Sequence, residues 1–459
     1  MTARWLRPFV LVAPLLIASA ARAQEAEPEP INDSEGYTPP PESATPLSIN
    51  GYVDVGFAKA QGDGTSFAPT DTRVPLDYGV DGFAPAVNAR GDAASTDPGP
   101  GRVVNGFLPR SAGIGGRPSF LLNTLNVDFK YTSAAAPLMV FSRVQFLPRF
   151  FGQSQSVDGG DGTRVVVEQA FGRLVPFDSQ ELALSVGKFD SVFGIEYLDN
   201  QANIRTGVTP SLIARYTTGQ SIGAKLFYRL QIAPIASALS LNVAVTNSGT
   251  FIEVLQPPDA NLTGAPVASG RLGYELNASA LQAKLGASAM VGPRNDQPER
   301  SAQQRAYGAD LRIAVAGIYL NAEYVRVDQG QGGPKTTSVG TYPFASAFWA
   351  RGGYVQLAYA LALDAGPLRK LTLYGRYDHR HAWFEGYTPI TVDRITGGLR
   401  LDLWDAVILK GEYLVNRELE GAPIVDNNVF TSSLVYSWLR CAPASHVRWR
   451  SRPCWRRWR

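Results

Sequence analysis

The sequence predicts an all-β fold, a transmembrane antiparallel β-barrel of about 16 strands, within a range of about 14–18. Three observations predict it. Stretches of roughly 9–12 residues that alternate apolar and polar side chains recur between residues 47 and 438, the length at which a tilted strand crosses a bilayer. Short turns and long polar segments separate these stretches in strict alternation, as in a barrel with one short-turned rim and one long-looped rim. The chain also opens with an export signal.

That signal occupies residues 1–23. Arg4 and Arg7 precede an apolar run over residues 9–21, and Ala21-Arg22-Ala23 supplies small residues for cleavage. Gln24 follows the cut where a lipid-anchored product would need Cys. Residues 24–46 are acidic and Pro-rich (Glu25, Glu27, Glu29, Asp33, Glu35, Pro39-Pro40-Pro41) and read as an extended periplasmic linker. Residues 439–459 hold seven Arg, three Trp, no acid and both cysteines, Cys441 and Cys454. This abrupt break in composition reads as an accident of the coding end, a disordered and dispensable tail. The competing reading is a basic segment for anionic lipid or nucleic acid.

Charge supports the same division. The net charge is +3, yet three Arg lie in the signal and seven in the tail, so residues 24–438 carry −7. The basic pI therefore belongs to segments outside the barrel, and no nucleic-acid partner is expected. Without the tail no cysteine remains, and disulfides take no part in the fold.

By alternation the strands fall near 47–58, 119–132, 138–147, 164–175, 181–189, 218–229, 239–247, 268–276, 281–292, 305–314, 318–327, 348–361, 370–379, 390–403, 406–417 and 428–438. The connections at 133–137, 176–180, 277–280, 315–317 and 404–405 are tight, with 230–238 and 362–369 only slightly longer. Long polar segments lie near 59–118, 148–163, 190–217, 248–267, 293–304, 328–347, 380–389 and 418–427. An even strand number puts both ends of the barrel domain, residues 47–438, on the short-turned periplasmic side. No later segment is long and apolar enough for a helical span.

One face of each strand is apolar, as in Leu125, Val127, Phe129 and Tyr131, or Leu399, Leu401 and Leu403. This face is expected to meet outer-membrane lipid, with Tyr131, Tyr228, Trp349, Tyr359, Trp404 and Trp438 as interfacial girdles. In the last strand Phe430, Leu434, Tyr436 and Trp438 share that face and form the expected signal to the barrel-assembly machinery. The other face points to water. It carries Lys130, Arg143, Arg164, Lys225, Arg271, Lys284, Arg312, Arg376, Arg394, Arg400 and Lys410. Its acids are Asp54, Asp128, Glu168, Glu275, Asp310, Glu323, Asp378, Asp402 and Glu412. A barrel of this size is expected to leave an open, charge-lined bore, and the small basic excess implies weak anion preference. The plainer expectation is that most of these charges pair across neighbouring strands.

Val167-Glu-Gln-Ala-Phe-Gly-Arg173, Leu184-Ser-Val-Gly-Lys-Phe189, Gly194-Ile-Glu196 and Thr218-Gly-Gln-Ser-Ile-Gly223 resemble the strand-loop-strand core of the phosphate-selective porin O and P superfamily. Ile49-Asn-Gly-Tyr-Val-Asp-Val55 is similar to the first strand of related porins. The resemblance implies sixteen strands, a homotrimer, and a third long loop folded into the bore. Here that loop is 190–217, with Arg205 and Arg215 beside Glu196 and Asp199, facing Arg143 and Lys225. Selective members line the constriction with clustered Arg and Lys. This loop has no such cluster, so the expectation is a general pore.

Little points to catalysis. Asp378-His-Arg-His381 sets His379 and His381 on one side of a strand end, but no third metal ligand accompanies them. Asp158-Gly-Gly-Asp-Gly162 lacks the spaced acids of a calcium loop. No partnered Ser or Asn surrounds the histidines as a barrel hydrolase would need. No metal, cofactor or catalytic residue is expected. The expected function is passive outer-membrane diffusion of small hydrophilic solutes or ions. The alternatives are a barrel with an adhesive or structural role carried by its long first loop, and a barrel hydrolase.

Overall fold

Alternation of side chains becomes strand at every expected position. The computed structural model describes residues 46–60, 119–133, 136–147, 164–177, 181–190, 192–232, 236–247, 264–278, 280–294, 302–332, 335–337, 340–342, 347–385, 389–404, 406–419 and 428–438. The expected signal peptide, the linker up to residue 45, the first long loop, the Asp158–Gly162 motif and the 439–459 tail lie outside these residues. No described helix is long and apolar enough to cross a membrane.

The strands of the first half are β1 (Leu47–Ala60), β2 (Ser119–Thr132), β3 (Leu138–Leu147), β4 (Arg164–Leu174), β5 (Leu182–Asp190), β6 (Gln220–Ile232), β7 (Ser237–Thr246), β8 (Val267–Asn277) and β9 (Gln282–Pro293). The second half has β10 (Gln303–Val315), β11 (Ile318–Gln329), β12 (Lys335–Thr337), β13 (Gly340–Tyr342), β14 (Phe348–Ala365), β15 (Leu368–Phe384), β16 (Ile390–Leu403), β17 (Val407–Glu418) and β18 (Val429–Trp438). All but β12 and β13 join one closed antiparallel barrel of 16 strands, each paired with its neighbours in sequence. The seam pairs β1 with β18, from Gly51 opposite Trp438 to Ala60 opposite Val429. Inside the seam the Ser433 hydroxyl donates to Asp54 Oδ1 at 2.6 Å. Outside it the Trp438 ring lies over Gly51, where a Cβ would collide with the indole. An aromatic ring covering a strand glycine shields its backbone.

Burial is inverted relative to a water-soluble protein. Val55, Phe129, Val140, Leu184, Leu285, Leu399, Phe430, Leu434 and Tyr436 are exposed on the outside. Asp54, Lys225, Arg271, Glu323, Arg376, Asp378, Lys410 and Glu412 are buried inside. Only lipid around the wall makes that arrangement favourable, because each strand hydrogen-bonds its whole backbone within the ring and presents apolar atoms outward. The barrel is therefore of the transmembrane, outer-membrane type.

Three connections differ from expectation. β14 and β15 continue through the expected 362–369 turn, with a register shift between Ala362 and Ala365 absorbing the extra residues. At its far end β15 runs to Phe384, so residues 380–384 are strand rather than loop. There Ala382 pairs with Ala350, and Trp383 stacks on Trp349 with ring centres 6.4 Å apart. The charged Arg380 and His381 hid a strand that rises above the apolar band. The segment between β11 and β14 also holds the β12–β13 hairpin, which the sequence pattern did not reveal.

The seam can be tested directly. Val55 and Leu434 are register partners facing outward, and directly opposed strand positions lie within disulfide reach. With Cys441 and Cys454 replaced by Ser, V55C/L434C is expected to cross-link nearly completely on oxidation of the folded protein. A reductant-sensitive shift of the heat-denatured band reports it, and an uncrosslinked folded band would mean the wall is open there. Trp438→Ala is expected to lower the yield of the heat-resistant folded form.

Candidate constriction site

Between β5 and β6 the chain does not leave the barrel mouth but turns inward. Gly194 makes the turn at φ +78°, and a Cβ there would collide with the Glu323 carboxylate. The segment then forms one 3-10 turn, Glu196–Asp199, and one α-helical turn, Ala214–Thr217. Phe193, Leu212, Ile213 and Tyr216 pack against inward-facing Val267, Met290, Ala306, Val325, Val327, Phe348 and Ala350. These wall residues belong to the upper ends of their strands. The wall's polarity reverses there: in β11, Val325 and Val327 are buried inside while Arg326 is exposed outside.

A segment with so little regular structure leaves its peptide groups unpaired, and the wall supplies their partners. The Glu323 carboxylate accepts from the amides of Ile195 (3.0 Å) and Glu196 (3.1 Å). Glu412 accepts from the amides of Val208 (2.9 Å) and Thr209 (2.8 Å), and from the Tyr374 hydroxyl. Asp378 accepts from the Leu212 amide at 3.2 Å. Cations of the wall take the carbonyls. Arg312 donates to Ile195 O (2.9 Å), and Arg376 to Thr209 O and Pro210 O (both 2.9 Å). Arg394 donates to Pro210 O (2.5 Å), and Lys410 to Ala202 O (2.5 Å) and Arg205 O (2.6 Å). Arg400 reaches Ile204 O at 2.9 Å. On the β1–β2 side, Gln201 Oε1 accepts from the Tyr52 hydroxyl (2.7 Å) and the Asn126 amide (2.6 Å).

The expectation that inward charges mostly pair across neighbouring strands is thus corrected for much of the wall of β10–β17. Its charges hold the inserted segment, and several pair with one another as well, as Arg394 with Asp378 (3.4 Å) and Arg400 with Asp402 (2.7 Å). Cross-strand pairing without the segment occurs on β6–β10, as in Arg271 with Asp310 (2.6 Å) and Arg229 with Glu275 (2.8 Å).

The residues singled out from sequence take distinct positions. Glu196 is buried and pins the base of the loop, accepting from the Ser211 amide (2.7 Å) and hydroxyl (2.5 Å). Burial pushes its carboxyl above the ordinary glutamate range, and these two donors pull it part of the way back. Asp199 pairs with Arg312 at 2.8 Å. Arg205 is buried and curls onto its own loop, donating to Asn200 O (2.5 Å), Val208 O (3.2 Å) and Asp199 O (3.3 Å). Arg143 pairs with Asp128 (2.7 Å) and approaches Glu168 (3.8 Å). Lys225 lies over the Phe189 ring at 4.9 Å. Arg215 sits in the α-helical turn, and its side chain is outside the described part. Glu323, Asp378, Glu412, Arg376 and Lys410 were legible as inward charges but not as a clamp. The crowding of inward charge into β15–β17 was the available signal.

His379 and His381 lie on the outer face of β15, bonded to Asp393 (2.6 Å) and Thr391 (2.8 Å). Among the described residues no three His, Cys, Asp or Glu side chains gather as a metal site would require.

No family model and no curated protein sequence matches the chain. Similar solved structures include the outer membrane channel DcaP of Acinetobacter baumannii (TM-score 0.49, 11% identity, 87% of this chain and 99% of that one). OprB of Pseudomonas putida gives a TM-score of 0.48 at 10% identity over 85% of this chain and 94% of its own. The anion-selective porin from Comamonas acidovorans gives 0.43 at 10% identity, covering 85% and 99%.

Removing one clamp should release the loop. Glu412→Ala strands two buried amides at about 1–3 kcal/mol each. Trypsin is expected to spare Arg205 in the folded wild-type protein and to cut there in the variant. Equal resistance of both would mean that Glu412 does not hold the segment.

Proposed function

We propose that this protein is an outer-membrane channel for passive diffusion of small hydrophilic solutes and ions, with weak anion preference. One observation carries the reading: a closed barrel with a charged inner face holds a fixed segment, 192–217, inside its lumen. A structural or adhesive barrel has no need of a polar interior with a tethered internal loop. A conducting one does, because a narrowing with low-dielectric walls concentrates the field of each fixed charge on passing ions. The adhesive alternative rests on the first long loop, 59–118, which lies outside the described residues from 61 onward.

In this reading solutes pass between the docked segment and the wall of β3–β6, whose described inward cations include Arg143, Arg173, Lys225 and Arg229. Those on β15–β17 are taken up by the loop, so anion preference would come from the opposite side. The motifs that resemble the phosphate-selective porins fall on β4, β5, β6 and the start of the loop, the elements that frame the proposed narrowing. That resemblance also supports a homotrimer. Phe430, Leu434, Tyr436 and Trp438 would present the final strand to the barrel-assembly machinery.

Planar-bilayer recording tests the proposal. Purified folded protein is expected to form ohmic pores whose reversal potential in a KCl gradient indicates mild anion preference. Lys225→Glu should move that potential toward cations at little cost in conductance. Arg205→Glu, which also breaks the loop's internal bonds, should shift selectivity the same way and raise conductance as the segment loosens. Folded protein that never conducts would overturn the reading.

A further inference from the structure

The outer face of β10–β17 carries charge where lipid-facing strands ordinarily do not. Arg326 and Arg351 stand directly opposite each other on β11 and β14, flanked in the same row by Tyr307 and His381. Both arginines are exposed. Like charges directly opposed across strands are destabilising, and Asp328 answers only Arg326, at 2.9 Å. Arg351 rests over the Trp349 ring at 5.8 Å. Exposed Arg305 and Arg417 extend the patch, and Asp393, engaged by His379 and Tyr377, is its other acid. The patch sits a few residues from the long-loop ends of its strands.

Immediately below it the wall is hollow. Ala309, Ala322, Tyr324, Gly353, Val355 and Tyr377 line a groove of about 650 Å³, with Arg351 and His379 toward its upper end. We infer that this groove and patch together bind one phosphorylated acyl lipid of the outer leaflet, an acyl chain in the groove and a headgroup phosphate between Arg326 and Arg351. Guanidinium groups bind phosphate oxygens through paired donors, and a shared phosphate turns the repulsion of the two arginines into attraction. Tyrosines at the groove's edge mark the height where hydrocarbon gives way to headgroups, so the apolar slot lies at chain depth and the arginines at phosphate depth. A second copy of the chain would meet its own arginines at this face if it used the same patch, which disfavours a symmetric pairing.

The test uses full-length protein in neutral detergent, offered bis-phosphorylated lipid A or lipid A stripped of both phosphates, with retained lipid counted by native mass spectrometry. The wild-type protein is expected to retain the phosphorylated form at least tenfold better. R326E/R351E should abolish that preference while R326K/R351K keeps most of it, and A309W, which fills the groove, should reduce retention of both forms. A heat-resistant folded band certifies each variant, so the outcome is independent of the channel reading. Equal retention of the two lipids by the wild type would overturn the inference, as would insensitivity to the double reversal or to A309W. So would a wild-type oligomer that holds no lipid and dissociates on A309W.

Discussion

Every peptide group that enters hydrocarbon must find its partner within the protein, and the whole architecture follows from that demand. A sheet satisfies it only by closing, so β1 must meet β18, and the last ten residues of the described barrel matter as much as any in its middle. Closure then divides each strand into a lipid side and a lumen side. Exposed Phe129, Leu285 and Leu434, and buried Arg376, Asp378 and Lys410, are two consequences of one constraint.

The lumen imposes the same demand on the segment it encloses. Residues 192–217 have too few turns of helix to pair their own amides and carbonyls, so the inner wall answers them with full charges. This accounts for burial of Glu323, Glu412, Arg394 and Lys410 without prohibitive cost. A buried ion is tolerated when its hydrogen-bonding capacity is met in good geometry, and two consecutive amides on one carboxylate meet it well. Charges that look like a conduction pathway along a single strand thus serve first to seat a loop.

The fold was legible because a period of two repeated sixteen times is hard to imitate, and because short and long connections alternate along the chain. Strands such as Ser119–Thr132, Leu138–Leu147 and Ile390–Leu403 coincide with their expected bounds. Legibility failed above the membrane, where the pattern inverts. Val325 and Val327 turn inward to meet Phe193 and Tyr216, and Arg380 and His381 lie within a strand that charge alone suggested had ended. The loop's entry into the barrel was implied only by the motifs around Gly187-Lys188-Phe189. Its partners could not be named, because alternation says which side a charge faces and not which distant peptide it meets. Arg205 shows the limit: its type and position suggested a charge at an opening, whereas its side chain closes the loop upon itself.

The seam also governs how this molecule comes into being. Ser433 bonds Asp54 across 379 residues of chain, a separation at which contact formation is slow, because loop-closure entropy is lost before the contact rewards it. Most of the clamp on the inserted segment comes from β10–β17, with Tyr52 and Asn126 of the first two strands adding to it, so its seat is incomplete until the later strands exist. The seat is complete only once β17 has joined the wall, and the ring only once β18 has met β1. A chain halted before β18 would hold its most polar surface and its most apolar surface open together, with neither solvent able to accept both.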